Sequence, residues 1–331
     1  MMNGANERGI VHAGGEKQRR ARRSPASCGR GDMRHDRNAR VGSCAAGGLL
    51  LLSAAYLYRR RRRQRPASGP MASQPQEIAA GVYCLGTGKG ITESNVYFVR
   101  SESSWVLIDA AWPNRARLIK ETAESLFGAN ARPAAILLTH IHPDHAGAAR
   151  ELARLWRVPV YVHPSELPMA AGDLSTFEQY GGPLDLWVIL PLMRLVPPRR
   201  RESMLAESSL KEVARAFDPG TGVPGLPEWE CVHTPGHTPG HVSFFRTSDR
   251  VLITGDAVVG VKLNSLWGTL LSTQGLSLPP WYTTWSWQAA KESVAALARL
   301  EPRVLASGHG IPLTGAGTAG ELRAFAAQFS E

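Results

Sequence analysis

The chain has 331 residues, 43 % hydrophobic and 20 % charged, which excludes a fibrous or wholly disordered protein and allows a sizeable core. Its formal net charge is +10, but residues 1–70 hold 16 of the 38 Lys and Arg and only 4 of the 28 Asp and Glu. The other 261 residues carry a net −2, which argues against a nucleic-acid-binding surface in the domain they form.

Residues 1–40 are rich in Gly, Arg, Asn and Ser without periodicity, a disordered composition. Val41–Tyr58 is an uncharged run of 18 residues, followed at once by five arginines, Arg59–Arg63. Two readings stand. Residues 41–58 form a short membrane anchor, with membrane association through 41–63 and the arginines on the cytoplasmic side, or residues 1–70 are a dispensable basic extension ahead of a start at Met71 and the protein is cytoplasmic. No small-residue cleavage site precedes the arginines, so a cleaved secretory peptide fits poorly. A single domain is expected over 71–331.

That domain opens with the strand candidates Asn95–Arg100 and Trp105–Asp109, which read as a hairpin. Arg115–Phe127 has the period of an amphipathic helix and stops at Gly128-Ala129-Asn130. Ala134–Leu138 is a short apolar run expected to be a buried strand. A helix from about Gly147 to Trp156 and a strand at Val160–Val162 follow. Residues 172–227 break this regularity, with an apolar run Leu186–Leu192, the pair Pro197-Pro198, Arg199–Arg201 and a helix-like stretch Leu205–Phe217. They read as an insertion, either a lid or substrate wall or a helical hairpin packed on the core. His241–Ala257 then repeats the pattern of Asn95–Ala111, with an aromatic-bearing strand, an Arg, a Ser-containing turn and an aliphatic strand ending at an Asp. A helix at Trp287–Leu300, a strand at Arg303–Ala306 and a helix around Gly320–Phe329 complete the chain. The repeat suggests two mirrored β-rich halves, each backed by helices. Cys84 and Cys231 lie in apolar runs and, with Cys28 and Cys44, show no CxxC spacing, so buried free thiols are expected.

Eight of the ten histidines lie after residue 70, three of them in Thr139–His145, T-H-I-H-P-D-H. At a strand end, His140 and His142 share a face, and Asp144 and His145 come round the turn towards a neighbouring point. Imidazole and carboxylate at this spacing suit Zn²⁺, Mn²⁺ or Fe²⁺ rather than Ca²⁺ or Mg²⁺. His237 is bracketed by Gly and Pro in H-T-P-G-H-T-P-G-H, Asp256 ends a strand in T-G-D-A, and His309 sits in S-G-H-G after another strand. Each follows an apolar run, so all can converge on one edge of the sheets. His233 and His241 are candidates to orient ligands from behind, or plain loop histidines.

H-x-H-x-D-H, the Gly-flanked His, the strand-end Asp and the late His resemble the metallo-β-lactamase superfamily over Ile78–Phe329, with a glyoxalase II-like or lactonase-like core. The resemblance implies an α/β fold, a four-layer αββα sandwich with the insertion inside it. It implies that His140, His142 and His237 bind one metal ion and Asp144, His145 and His309 a second, with Asp256 bridging and Asp109 supporting the loop. Two divalent ions, zinc foremost with iron or manganese as alternatives, would then serve hydrolysis of a small ester, thioester or lactone. Asp144 would orient the nucleophile or carry a proton. A bridging carboxylate at Asp256 sets the chain apart from most antibiotic-hydrolysing members. Only 22 residues follow His309, too few for the helical domain that binds glutathione in typical glyoxalase II. Alternatives are a phosphodiesterase, a mononuclear-iron oxidoreductase of sulfur substrates and, from another class, a non-catalytic membrane-associated binding protein. Trp112, Tyr180, Trp187, Trp267, Trp281, Tyr282, Trp285 and Trp287 are candidate walls of a substrate pocket, W-Y-T-T-W-S-W at 281–287 being unusually aromatic.

Overall fold

The computed structural model describes residues 74–88, 92–102, 104–265 and 273–329. The candidate anchor at 41–58, Cys28, Cys44 and Trp267 lie outside these residues. Among the described residues, no helix is long and apolar enough to cross a membrane.

Two sheets carry the fold. The first has seven strands in chain order: β1 (Gln76–Ala79), β2 (Val82–Gly86), β3 (Asn95–Ser101), β4 (Ser104–Ile108), β5 (Ala135–Leu137), β6 (Val160–Val162) and β7 (Ala214–Ala216). The first four pair antiparallel, and β4 to β7 pair parallel. The second sheet uses β8 (Trp229–His233), β9 (Val242–Arg246) and β10 (Val251–Gly255). A small hairpin of β11 (Val259–Val261) and β12 (Gln274–Ser277) precedes its last strands, β13 (Val304–Ser307) and β14 (Leu313–Thr314). The order of the second sheet is β14-β13-β10-β9-β8.

Side-chain alternation explains why the sheets stack. Along β3 and β4, Tyr97, Val99, Val106 and Ile108 enter one core, whereas Val96, Phe98, Trp105 and Leu107 enter another. The first core also takes Val242, Phe244, Val251 and Ile253 from the second sheet, so it lies between the sheets. The other faces are covered by helices: Ala116–Phe127 and Ala149–Trp156 outside the first sheet, Trp287–Arg299 and Thr318–Ala326 outside the second. Strands apolar on both faces need cover on both sides, and four layers, αββα, provide it. The repeat in the sequence is thus the pair of central hairpins, β3-β4 and β9-β10, one in each sheet.

The sheets are also tied at the edge where the histidines gather. Asn95 Nδ2 donates to the carbonyls of Ser307 (2.9 Å) and Gly310 (2.8 Å), and the Tyr97 hydroxyl donates to Ser307 O (2.6 Å). These buried bonds hold the loop carrying His309 against the first sheet.

Of the helix expected at Leu205–Phe217, only residues 205–208 are helical. The helix is Pro198–Ser208, started by a proline at its first turn, whose fixed φ suits that position. Beyond it, Leu210 N–H donates to Ala170 O, and Ala214–Ala216 pairs with β6 as β7. The open edge of β6 offers those amides partners, and this outweighs the helical spacing of Leu205, Leu210, Val213 and Phe217. The apolar run before it is helical over Asp185–Leu195, with a π-turn at Asp185–Ile189, and exposes Trp187 and Leu195. Cys84 and Cys231 are free thiols, each pushed up to about 12 by burial.

Candidate metal centre

The centre forms where the C-terminal ends of β5, β10 and β13 meet the loop after β8. Thr139–His142 leaves β5, and the short helix Pro143–Ala146 turns Asp144 and His145 back towards the same edge. His237 comes from the Gly- and Pro-bracketed loop between β8 and β9, Asp256 from the end of β10, and His309 from the loop after β13.

Three groups of these residues bring one ligand atom each to within 4.8 Å of one another: His140, His142 and His237; His140, His145 and Asp256; Asp144, His145 and His309. Asp256 lies in the middle. Its carboxylate is 3.4 Å from Nε2 of His237, 3.4 Å from Nε2 of His309 and 3.3 Å from Nε2 of His145. His309 Nε2 is 3.2 Å from Asp144.

The imidazoles are oriented by what their outer nitrogens contact. His145 Nδ1 donates to Asp109 (2.8 Å), His309 Nδ1 donates to the Glu93 carbonyl (2.5 Å), and His140 Nδ1 donates to the Thr139 hydroxyl (3.1 Å). His237 Nδ1 lies 3.4 Å from the Thr284 hydroxyl. Their inner nitrogens face the centre, where His237 Nε2 lies 2.8 Å from His142 Nδ1. His140 Nε2, His145 Nε2 and Asp256 Oδ1 are buried without a hydrogen-bond partner, the 3.3 Å approach of the last two lacking hydrogen-bond geometry. Orphaned buried polar atoms are costly in an ordinary core, and imidazoles held at their outer nitrogens with their inner nitrogens turned to a common point are the arrangement that holds metal-binding histidines. The donor set fits divalent metal ions.

Three carboxylate and imidazole contacts brace this shell. Asp109, at the end of β4 with φ 60°, accepts from Thr139 N–H (2.8 Å), the Thr139 hydroxyl (2.9 Å) and His145. His241 accepts from Asp256 N–H at Nε2 (3.0 Å), so its proton is on Nδ1, which donates to the Thr234 hydroxyl (2.8 Å). Burial pushes His241 down to about 3, consistent with that neutral ring. Glu166 was not marked by any sequence motif. It is fully buried and accepts from Ile141 N–H (3.1 Å) and Gly240 N–H (2.8 Å), clasping the two histidine loops together. His233 plays a different part: its exposed ring donates to Pro239 O (2.9 Å) and stacks on His163, closing the base of its loop. Asp185, from the 172–227 segment, is a further residue that motif reading missed. Burial pushes its carboxyl up and the charge of nearby His142 opposes that.

Glu166→Ala should destabilise the protein by about 2–4 kcal/mol, because two buried amides lose their acceptor, and Glu166→Gln by roughly half as much. Urea unfolding of the three proteins measures it; equal midpoints would refute the clasp.

Two imidazoles differ electrostatically from the rest. Burial works against a charge on His145 and His309, but Asp256 and Asp144 outweigh it, holding His145 well above its ordinary value and His309 up to about 10. Conversely, burial and neighbouring imidazoles hold His140 and His237 well below theirs. A raised imidazole must lose its proton before it can bind an ion. Zinc affinity should therefore strengthen with rising pH between 6 and 9, by about tenfold per unit for each proton displaced. Competition against a chromophoric chelator across that range checks it, and a pH-independent affinity would contradict it.

Packing around the centre leaves little slack. A Cβ at Gly308 would lie 2.2 Å from Asp256 Oδ1 and 2.6 Å from His145 Cε1, so only glycine lets the chain pass there.

The family model of the metallo-beta-lactamase superfamily matches residues 90–309. The chain belongs to that superfamily. The "probable metallo-hydrolase YflN" of Bacillus subtilis (strain 168) is 40 % identical over 242 residues, covering 72 % of this chain and 87 % of the relative. The uncharacterized protein YobT of the same organism is 30 % identical over 220 residues, 65 % of this chain and 82 % of the relative. Among solved structures, the metallo-beta-lactamase family protein TTHA1429 from Thermus thermophilus superposes with a TM-score of 0.54 at 21 % identity, covering 76 % of this chain and 80 % of that one. BLEG-1, a B3 metallo-beta-lactamase, superposes with a TM-score of 0.52 at 20 % identity, covering 76 % of this chain and 100 % of that one. At these identities the superpositions establish the αββα superfamily fold.

The aromatic candidates are dispersed. Trp281 and Trp285, with Trp287, line a cleft beside His237, and Tyr180 packs edge-on against Trp285 at 5.4 Å. Tyr282 lies within electrostatic reach of Asp144 and Asp256; burial first, then those charges, push its phenol up. Trp112 is half-buried on the turn after Asp109, its indole N–H enclosed without an acceptor. Trp187 is 71 % exposed and is not among the residues that line the cleft.

Proposed function

We propose that the chain is a metal-dependent hydrolase that cleaves a small ester, thioester or lactone at a dinuclear centre. The observation that carries this reading is Asp256, one carboxylate 3.4 Å from both His237 and His309 and therefore between two sets of ligands. His140, His142 and His237 would hold one ion, Asp144, His145 and His309 the other, and Asp256 would bridge them. Zinc suits this imidazole and carboxylate set best, and iron or manganese are also compatible with it. Such ions supply Lewis acidity towards a carbonyl and a nucleophile from water at neutral pH.

The protein's own groups do the positioning. Asp144, the most open of the central carboxylates, would orient the attacking water or carry its proton to the leaving oxygen or sulfur as the acyl bond breaks. Asp109, His241 and Glu166 keep the ligands in place beforehand, so that little rearrangement accompanies the reaction.

The test is turnover by the full chain of a panel of thioesters, γ-lactones and the phosphodiester bis(p-nitrophenyl) phosphate, before and after chelation. Carbonyl substrates should be hydrolysed, with activity lost on chelation and restored by Zn²⁺. Chelator-resistant turnover, or turnover of the phosphodiester alone, would sink the reading.

A further inference from the structure

The segment 281–287 is built onto the centre. Trp285 N–H donates to the His237 carbonyl (3.2 Å), Ser286 N–H to the Gly236 carbonyl (2.9 Å), and the Thr284 hydroxyl lies 3.4 Å from His237 Nδ1. Beside it opens a cleft of about 480 Å³, lined by Pro183, Asn264, Trp281, Thr284, Trp285 and Trp287. That volume is within the range of small-ligand sites.

Among the described residues, the lining contains no charged side chain. Its two polar side chains are committed to the wall itself. Asn264 Nδ2 donates to the carbonyls of Leu278 (2.9 Å) and Pro279 (3.0 Å), and its Oδ1 accepts from Trp281 N–H (2.9 Å). The Thr284 hydroxyl donates to Pro280 O (2.7 Å). The cleft therefore presents indole and proline surface, and a carboxylate or phosphate placed there would be desolvated without a cationic partner. Trp281, Trp285 and Trp287 remain 45 %, 38 % and 39 % exposed within seven residues, an apolar surface that a bound apolar group would cover.

We propose that this cleft receives the apolar acyl group of the substrate, an aliphatic chain or apolar ring whose carbonyl lies at the metal centre beside His237. The inference rests on the hydrolase reading and narrows it. It selects uncharged, medium-length acyl esters and thioesters over acetyl compounds and over substrates with an anionic acyl part.

The experiment is a series of p-nitrophenyl acetate, butyrate and octanoate, and the thioesters of the same acids, with the full metal-loaded chain. From acetate to octanoate, kcat/KM should rise by about tenfold or more, mostly through KM, as methylenes leave water. Trp281→Ala and Trp285→Ala should each lower the octanoate-to-acetate ratio by several-fold. A flat or inverted profile, turnover confined to short lactones, or variants that leave the ratio unchanged would overturn the inference and leave the hydrolase reading standing. Silence on every carbonyl substrate would overturn both.

Discussion

Asp256→Asn should keep the fold and lose at least about 10³-fold in kcat/KM, since several kcal/mol of transition-state stabilisation rest on the ions and each 1.36 kcal/mol is a factor of ten. The amide fills the same space, so the β10 end and the backbone bond from Asp256 N–H to His241 are preserved. What changes is charge and donor type. An NH₂ group would replace one oxygen, facing Nε2 of His145 or Nε2 of both His237 and His309, where the native carboxylate stands 3.3 Å and 3.4 Å away. Bound metal should fall below the wild-type ratio. Steady-state kinetics, metal content and circular dichroism on one preparation decide it; full metal and full rate would remove Asp256 from the proposed role.

Asp109→Asn should weaken metal binding by about 10–100-fold although residue 109 is not a proposed ligand, the usual size of losing a partner behind a metal-binding histidine. Asn tolerates the left-handed backbone at φ 60°, so the substitution isolates chemistry from strain. The native carboxylate accepts from Thr139 N–H, the Thr139 hydroxyl and His145 Nδ1. An amide has one acceptor oxygen, so one of these donors must face an NH₂ group. Loss of stability by about 1–3 kcal/mol should accompany the weaker binding, because the site is fully buried. Zinc titration and urea unfolding measure the two effects; wild-type values in both would show that Asp109 has no bracing role.

Much of this centre was readable because its residues follow short apolar runs. His140 and His142 come after β5, Asp256 after β10 and His309 after β13, and a run that must be buried fixes where the next polar residues emerge. The two central hairpins were legible for a related reason: each is a pair of short apolar runs joined by a polar turn and ended by an Asp, since strands covered on both faces stay apolar throughout. Glu166 shows the limit. It follows His163-Pro-Ser in a short turn, where a glutamate is ordinarily solvated, and only the three-dimensional approach of Ile141 and Gly240 makes it a buried acceptor. Asp185 was hidden likewise, in an apolar run whose path back to His142 is set by tertiary packing. The strand at Ala214–Ala216 was misread because an edge strand of three residues leaves almost no periodicity, and its reason for existing is a pairing partner more than fifty residues earlier.

The central claim is a pair of ions shared through Asp256. The most direct test is the metal-to-protein ratio of the full chain after saturation with Zn²⁺ and removal of free metal. Two ions per chain are predicted for the wild type. A ratio of one or none, with hydrolysis at full rate, would contradict the account.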